Sequence, residues 1–254
     1  SNQGSRLEQV GNLEVALTNY QKASIFDPFN SHYHGAQARV YAQFYAAKAG
    51  DDSLHSQWFS SAVHHARLAE EKSPYDPMLM SELSRTYGLL GSYTDAIRLY
   101  ERVIQLNPWN INAYNYIASL YATLAIRSLE ANDIQNANKF IELALATPER
   151  IEQQAAKART DLGAMLAPDS TTAYVLAQAH YYQGDYQTAL QEMEGLLSQA
   201  FAAEDGFKTV YAAALYKNGR QAEAEQVMAE TKAAKPDVYS RYLKIRDLPA
   251  IREN

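Results

Sequence analysis

Residues 80–108 read MSELSRTYGLLGSYTDAIRLYERVIQLNP, and the spacing of residue types in this stretch decides the fold. Met80, Leu83, Ser84 and Tyr87 fall at helical intervals, Gly91 interrupts them, and Tyr93, Ala96, Tyr100 and Val103 resume the pattern until Pro108. Counted from Gly91, the second half stands at +2, +5, +9, +12 and +17. The same offsets recur from Gly11 as Leu13, Ala16, Tyr20, Ala23 and Pro28. From Gly219 they give Gln221, Ala224, Met228, Thr231 and Pro236, and from Gln57 they give Phe59, Ala62, Ala66, Ala69 and Pro74. Two copies are degraded: Gly184 is followed by Tyr186, Ala189, Met193 and Leu196 without the proline, and Asn132 by Ile134, Ala137, Ile141 and Ala144 with Pro148 one residue early.

Each position has a physical reason. Glycine ends a helix with a left-handed residue. The small residue at +5 lets two antiparallel helices approach, and the residue four later fills the space beside it. Proline cannot continue the hydrogen-bond ladder and stops the second helix. A tyrosine stands thirteen residues after Pro28, Pro74 and Pro108, at Tyr41, Tyr87 and Tyr121, so the register passes from one unit to the next. The unit is a helical hairpin of about 34 residues.

This pattern resembles the tetratricopeptide repeat (TPR), most closely from Pro77 to Asn110, with Leu83, Tyr87, Gly91, Tyr93, Ala96, Tyr100 and Pro108 where that family places such residues. Ser84 departs from it, since glycine or alanine is usual there. The resemblance implies an all-α, right-handed α-α superhelix: a single TPR solenoid over residues 1–254. Its units are expected at 1–30 (truncated), 31–76 (an extended hairpin), 77–110, 111–148 (again extended), 169–203 and 204–236. An extra helix is expected over 149–168, and a capping helix over 237–254. The second unit carries 12 additional residues, expected to prolong its first helix through Ala49 and to displace the turn to Gly50-Asp51-Asp52-Ser53. The excess of 7 residues between Tyr121 and Ile134 is expected to lengthen the fourth hairpin. Asp169 or Ser170 is the expected cap of the fifth.

Composition narrows the function. The 254 residues carry 29 acidic and 23 basic side chains, a net charge of −6, which argues against a phosphate-backbone partner and hence against nucleic acid. Absence of cysteine removes disulfides and thiolate chemistry but does not fix a compartment. The longest nearly apolar run, Ile117 to Ile126, is about half of what a bilayer crossing needs. The start, Ser1-Asn2-Gln3-Gly4, has neither an initiator methionine nor a signal pattern, and residues 1–8 read as the last turns of a first helix. The open N-terminal end is therefore expected to be covered by upstream sequence or by a second copy, as a homodimer.

No nucleophile elbow, phosphate-binding glycine loop or HExxH motif occurs, so no catalytic residues, cofactor or metal are expected. His32 and His34, two apart, and His64 and His65, adjacent, point their rings too far apart along a helix for either pair to chelate one ion. If the first helix of each unit lines the inner curve, as in the resembled family, its inward stripe holds the partner-binding candidates His32, Arg39, Arg85, Asn112, Asn115, Ser119, Tyr174, Gln178 and Tyr181. This stripe is polar and contains no acidic residue, placing the acidic excess on the outer face, the loops and the extra helix. Amides and tyrosine hydroxyls on a rigid surface suit an extended peptide and would also suit a glycan. Some family members grip a C-terminal carboxylate with lysine, asparagine and arginine; here Gly35, Arg39 and Tyr116 stand at three of those places, so that clamp is not reproduced.

The first reading is a noncatalytic scaffold for a partner polypeptide. The second rests on Leu13 to Tyr33, with Ala23-Ser24-Ile25-Phe26-Asp27-Pro28-Phe29-Asn30-Ser31-His32-Tyr33 at its core. That stretch looks like repeat domains that follow the last transmembrane helix of bacterial O-antigen ligase or polymerase-like proteins. It implies an extracytoplasmic appendage, tethered to a membrane and presenting a glycan or a partner.

Overall fold

Five hairpin turns close in the same way. The N–H groups of Gly11, Gly91, Asn132, Gly184 and Gly219 each donate to the carbonyl three residues back, at 3.0 Å. The next N–H in each turn reaches the carbonyl five residues back, at 2.7–2.9 Å. This double closure satisfies the last carbonyls of a helix and needs a positive φ at its pivot. The four glycines have φ of 73° to 96°, and Asn132 at 57° is the only non-glycine with positive φ among the described residues.

The computed structural model describes residues 2–47, 52–157 and 166–251, all helix and turn, with no strand among them. In chain order the helices are α1 (Asn2–Gln9), α2 (Leu13–Phe26), α3 (Ser31–Ala47), α4 (Asp52–Lys72), α5 (Pro77–Leu89), α6 (Tyr93–Leu106), α7 (Ile111–Glu130), α8 (Ile134–Leu145) and α9 (Thr147–Lys157). They continue as α10 (Ser170–Gln183), α11 (Tyr186–Gly195), a short 3-10 turn (Ala200–Ala203), α12 (Asp205–Lys217), α13 (Gln221–Ala234) and α14 (Pro236–Asp247). The chain forms two compact units, 1–113 and 114–254.

In the first unit α1 pairs with α2, α3 with α4 and α5 with α6, and α3 also packs on α5. Gly35 makes that last approach possible, because a Cβ there would sit 2.8 Å from Leu79 Cδ1. In the second unit α10 pairs with α11 and α12 with α13, and α14 covers both α12 and α13. The small residues of the repeat, Ala16, Ala62, Ala96, Ala137, Ala189 and Ala224, are fully buried. Ser84 is buried too, its hydroxyl satisfied by the Met80 carbonyl at 2.9 Å, so a polar group is tolerated where alanine is usual.

The prolines act in two ways. Before Pro28, Pro108 and Pro236 the preceding residues, Asp27, Asn107 and Lys235, share φ of −136° to −141° and ψ of 72° to 79°. Three different side chains with one conformation show that the proline ring, not the residue itself, ends the helix. Pro236 and Pro148, however, also stand in the first turn of the next helix, where a missing N–H costs nothing. Hence the extra helix expected over 149–168 already begins as α9 at Thr147; residues 158–165 lie outside the described residues.

The extended second hairpin consists of α3, 17 residues, and α4, 21 residues, against 13 and 14 in α5 and α6. Asp52 and Ser53, expected in the turn, belong to α4, while residues 48–51 lie outside the described residues. The extension is held by ring contacts, with Phe44 stacked on Trp58 at 5.6 Å and Tyr45 on His55 at 3.9 Å. In the fourth hairpin the extra length falls on α7, 20 residues, and not on α8, 12 residues.

Candidate functional site

In the first unit α1, α3 and α5 present a polar trough. Three adjoining hollows of about 190, 350 and 320 Å³ all include Arg39 in their walls. Arg39 is not available as an isolated cation. Its Nε and Nη2 donate to Glu8 at 2.6 and 2.9 Å, and its Nη1 donates to Glu82 at 3.1 Å. Glu8 also accepts from the Tyr20 hydroxyl at 3.0 Å and from Gln43 Nε2 at 3.2 Å. Burial alone would raise the Glu8 pKa, but the hydrogen bonds and charge of Arg39, with Tyr20 and Gln43, hold it below its ordinary value. The same pairing with Glu8 raises the Arg39 guanidinium still higher.

This network corrects the expectation of an inner face without acidic residues. Glu8 and Glu82 line the trough, which the sequence stripe missed for two reasons. Glu8 belongs to α1, the truncated unit that the stripe omits, and Glu82 lies one position around the helix from Ser81. The trough is charge-balanced, with Arg85 and Leu89 exposed along its α5 side. Within the network, Gln43 Oε1 is buried without a hydrogen-bond partner.

The other predicted residues separate into three groups. His32 is exposed, borders the trough and faces Asp76, with Nε2 to Oδ2 at 3.1 Å. Asn112 is exposed at the start of α7, and Ser119 is half-buried, its carbonyl taken by the Thr123 hydroxyl at 2.9 Å. In the second unit, Asn115 and Tyr181 are buried and do not line an accessible surface. Asn115 is a structural brace: its amide donates to Asp169 at 3.0 Å and its carbonyl oxygen accepts from Thr172 at 2.7 Å. Asp169 and Thr172 are themselves the reciprocal cap of α10, so Asn115 fixes the entry to that helix. Tyr181 is covered by the terminal helix and donates to the Ile245 carbonyl at 3.1 Å. Tyr174 stacks on Phe201 at 5.5 Å, meets the tilted Phe207 ring at 5.2 Å and accepts from Gln178 at 2.8 Å, so those two candidates satisfy one another.

The histidines meet both along and across helices: the adjacent His64 and His65 rings stand edge to face at 5.3 Å. His34 and His65 approach at 3.3 Å between Nδ1 atoms, with Tyr41 stacked on His65 at 5.8 Å. Among the described residues no group of three or more histidine or carboxylate side chains could hold a metal ion. Nor, among them, is any helix long and apolar enough to cross a membrane.

Repeated antiparallel hairpins closed by one turn geometry and packed around one small-residue position define a helical-repeat protein of TPR type. The solved structures bear this out at the level of fold. A tetratricopeptide repeat protein of Parabacteroides merdae shares 12% identity over 91% of this chain and 76% of its own, with a TM-score of 0.59. PilF of Pseudomonas aeruginosa shares 16% over 95% and 94%, with a TM-score of 0.57. A thermophilic TPR protein of Thermus thermophilus shares 19% over 82% and 96%, with a TM-score of 0.55. No family model and no curated protein sequence matches the chain.

Proposed function

We propose that the chain is a noncatalytic interaction scaffold that takes an extended segment of a partner polypeptide along the trough of α1, α3 and α5. The observation that carries this reading is the set of three adjoining polar hollows that α1, α3 and α5 wall around the saturated Arg39 network. With Arg39 committed to two carboxylates, recognition falls to His32, Arg85 and the Leu89 side chain. A photocrosslinker in place of Leu89 should capture the partner, one in place of Glu142 on the exposed face of α8 should not, and Arg85→Glu should weaken capture about tenfold. Equal capture from both positions, or none from Leu89, overturns the trough as the site.

A second reading keeps the chain as the appendage of a membrane-bound ligase or polymerase of the O-antigen type. In its favour, the Leu13–Tyr33 stretch that carries the resemblance includes Ile25, Phe26 and Phe29, which are exposed and have no part in hairpin packing. Hydrophobic helices directly upstream in the gene support it; a complete polar-capped first hairpin there removes it.

A further inference from the structure

The outward side of α2 differs from that of the helices that hold the same place in other hairpins. Counted from their glycine turns, Val15 stands where α6 has Asp95 and α13 has Glu223, and Ile25 stands where they have Gln105 and Ala233. Those two acids are engaged by a base three residues away, Asp95 by Arg98 at 3.7 Å and Glu223 by Arg220 at 2.6 Å, as suits a solvated face. Val15 and Ile25 are instead apolar and 44% and 76% exposed. Although the α2 sequence LEVALTNYQKASIF is apolar at more than half of its positions, only Ala16 and Tyr20 are buried. A helix apolar on more than one side calls for cover on more than one side.

Polar side chains on this side are satisfied within the helix. The Thr18 hydroxyl donates to the Glu14 carbonyl at 3.0 Å and the Asn19 amide to the Val15 carbonyl at 2.8 Å, so a covering partner does not have to supply those acceptors. Two charges remain. Glu14 and Lys22 are the only charged residues of α2, both are exposed, and among the described residues neither is in an ion pair. They stand four residues to either side of Thr18, on one ridge of the helix.

We propose that a second copy of the chain covers this side, with the two α2 helices antiparallel about a two-fold axis at Thr18. Such an axis brings residues equidistant from Thr18 together across the interface. Glu14 of each copy then meets Lys22 of the other, and exposed Val10 meets exposed Phe26. Acid against base and apolar against apolar thus fall in one register, which a second copy requires and an unrelated partner does not. A parallel pairing would set Glu14 against Glu14 and Lys22 against Lys22, and that repulsion selects the antiparallel one. The flanking charges agree. Glu8 is held by Arg39, so the charges beside the helix are Arg6 before it and Asp27 after it, and the same axis brings the two ends together. The homodimer expected from the sequence thereby gains a definite surface.

The inference stands apart from the trough, since no outward residue of α2 walls its hollows. Sedimentation equilibrium of the chain should show monomer and dimer in exchange. Glu14→Lys and Lys22→Glu should each raise the dimer dissociation constant at least about tenfold, because by symmetry each replaces two attractive contacts with two repulsive ones. Both positions are exposed, so circular dichroism should stay native. The chain that carries both exchanges should recover the dimer, and mixing the two single variants should restore one made of a copy of each. A chain that stays monomeric up to its solubility limit overturns the proposal. So does a dimer that neither reversal weakens, or one that the double exchange and the mixture both fail to restore.

Discussion

Asn132 holds a φ of 57° at the pivot where the other four turns have glycine. A short polar side chain tolerates that conformation, whereas a branched Cβ meets the following carbonyl oxygen. Asn132→Val should therefore cost about 1–2 kcal/mol, and Asn132→Gly should not destabilise. Urea midpoints of the two variants test this, and an unchanged midpoint for the valine would mean that the closure is not imposed on residue 132. The pivot and the six buried alanines were legible in the sequence because each is a constraint within one hairpin, repeated at a fixed offset. The intramolecular partners of Arg39 and Asn115 were not legible for the opposite reason. Their partners lie far along the chain, Glu8 at 31 residues from Arg39 and Asp169 at 54 from Asn115, and an offset rule within one helix cannot see them. Phe29, Tyr75 and Trp109, exposed one residue after Pro28, Pro74 and Pro108, were passed over by a pattern tuned to buried positions.

At the scale of the element, the α3–α4 hairpin holds a pH-sensitive seam. Burial pushes the His65 imidazole down to about 4, with His34 and His64 adding to the shift, and burial followed by the Lys72 charge and His64 lowers His34. His34 on α3 and His65 on α4 share one hydrogen bond between ring nitrogens, and Tyr41, also on α3, covers His65. One proton serves that bond; a second breaks it. Both folded values lie below the ordinary 6.5, so the unfolded chain takes up protons first as pH falls. Stability from this seam is complete above about 6.5 and is lost progressively toward about 4. Glu8, whose folded pKa is also lowered, contributes above its ordinary 4.5 and loses that contribution as pH falls through its folded value, so the decline between about 6.5 and 4.5 belongs to the histidines. Melting curves across that interval should fall for the native chain and flatten for His65→Asn. A native curve that is level over the interval removes the seam as a determinant.

At the scale of the whole molecule, helical repeats stabilise mainly through neighbours, so a local insult should stay local. Ala224 is fully buried on α13, opposite α12, and Met228 and Tyr242 complete the same cluster. Enlarging it forces the two helices apart, at a cost of about 1–3 kcal/mol. Ala224→Leu should accordingly speed amide hydrogen exchange across α12, α13 and α14. Exchange in α3 through α6, whose core is built around Ala62, Leu83, Ala96 and Tyr100, should keep its native protection. A uniform rise in exchange across both regions would mean that the chain opens as one cooperative body. The repeat spacing would then describe the geometry of the hairpins without describing how their stability is shared.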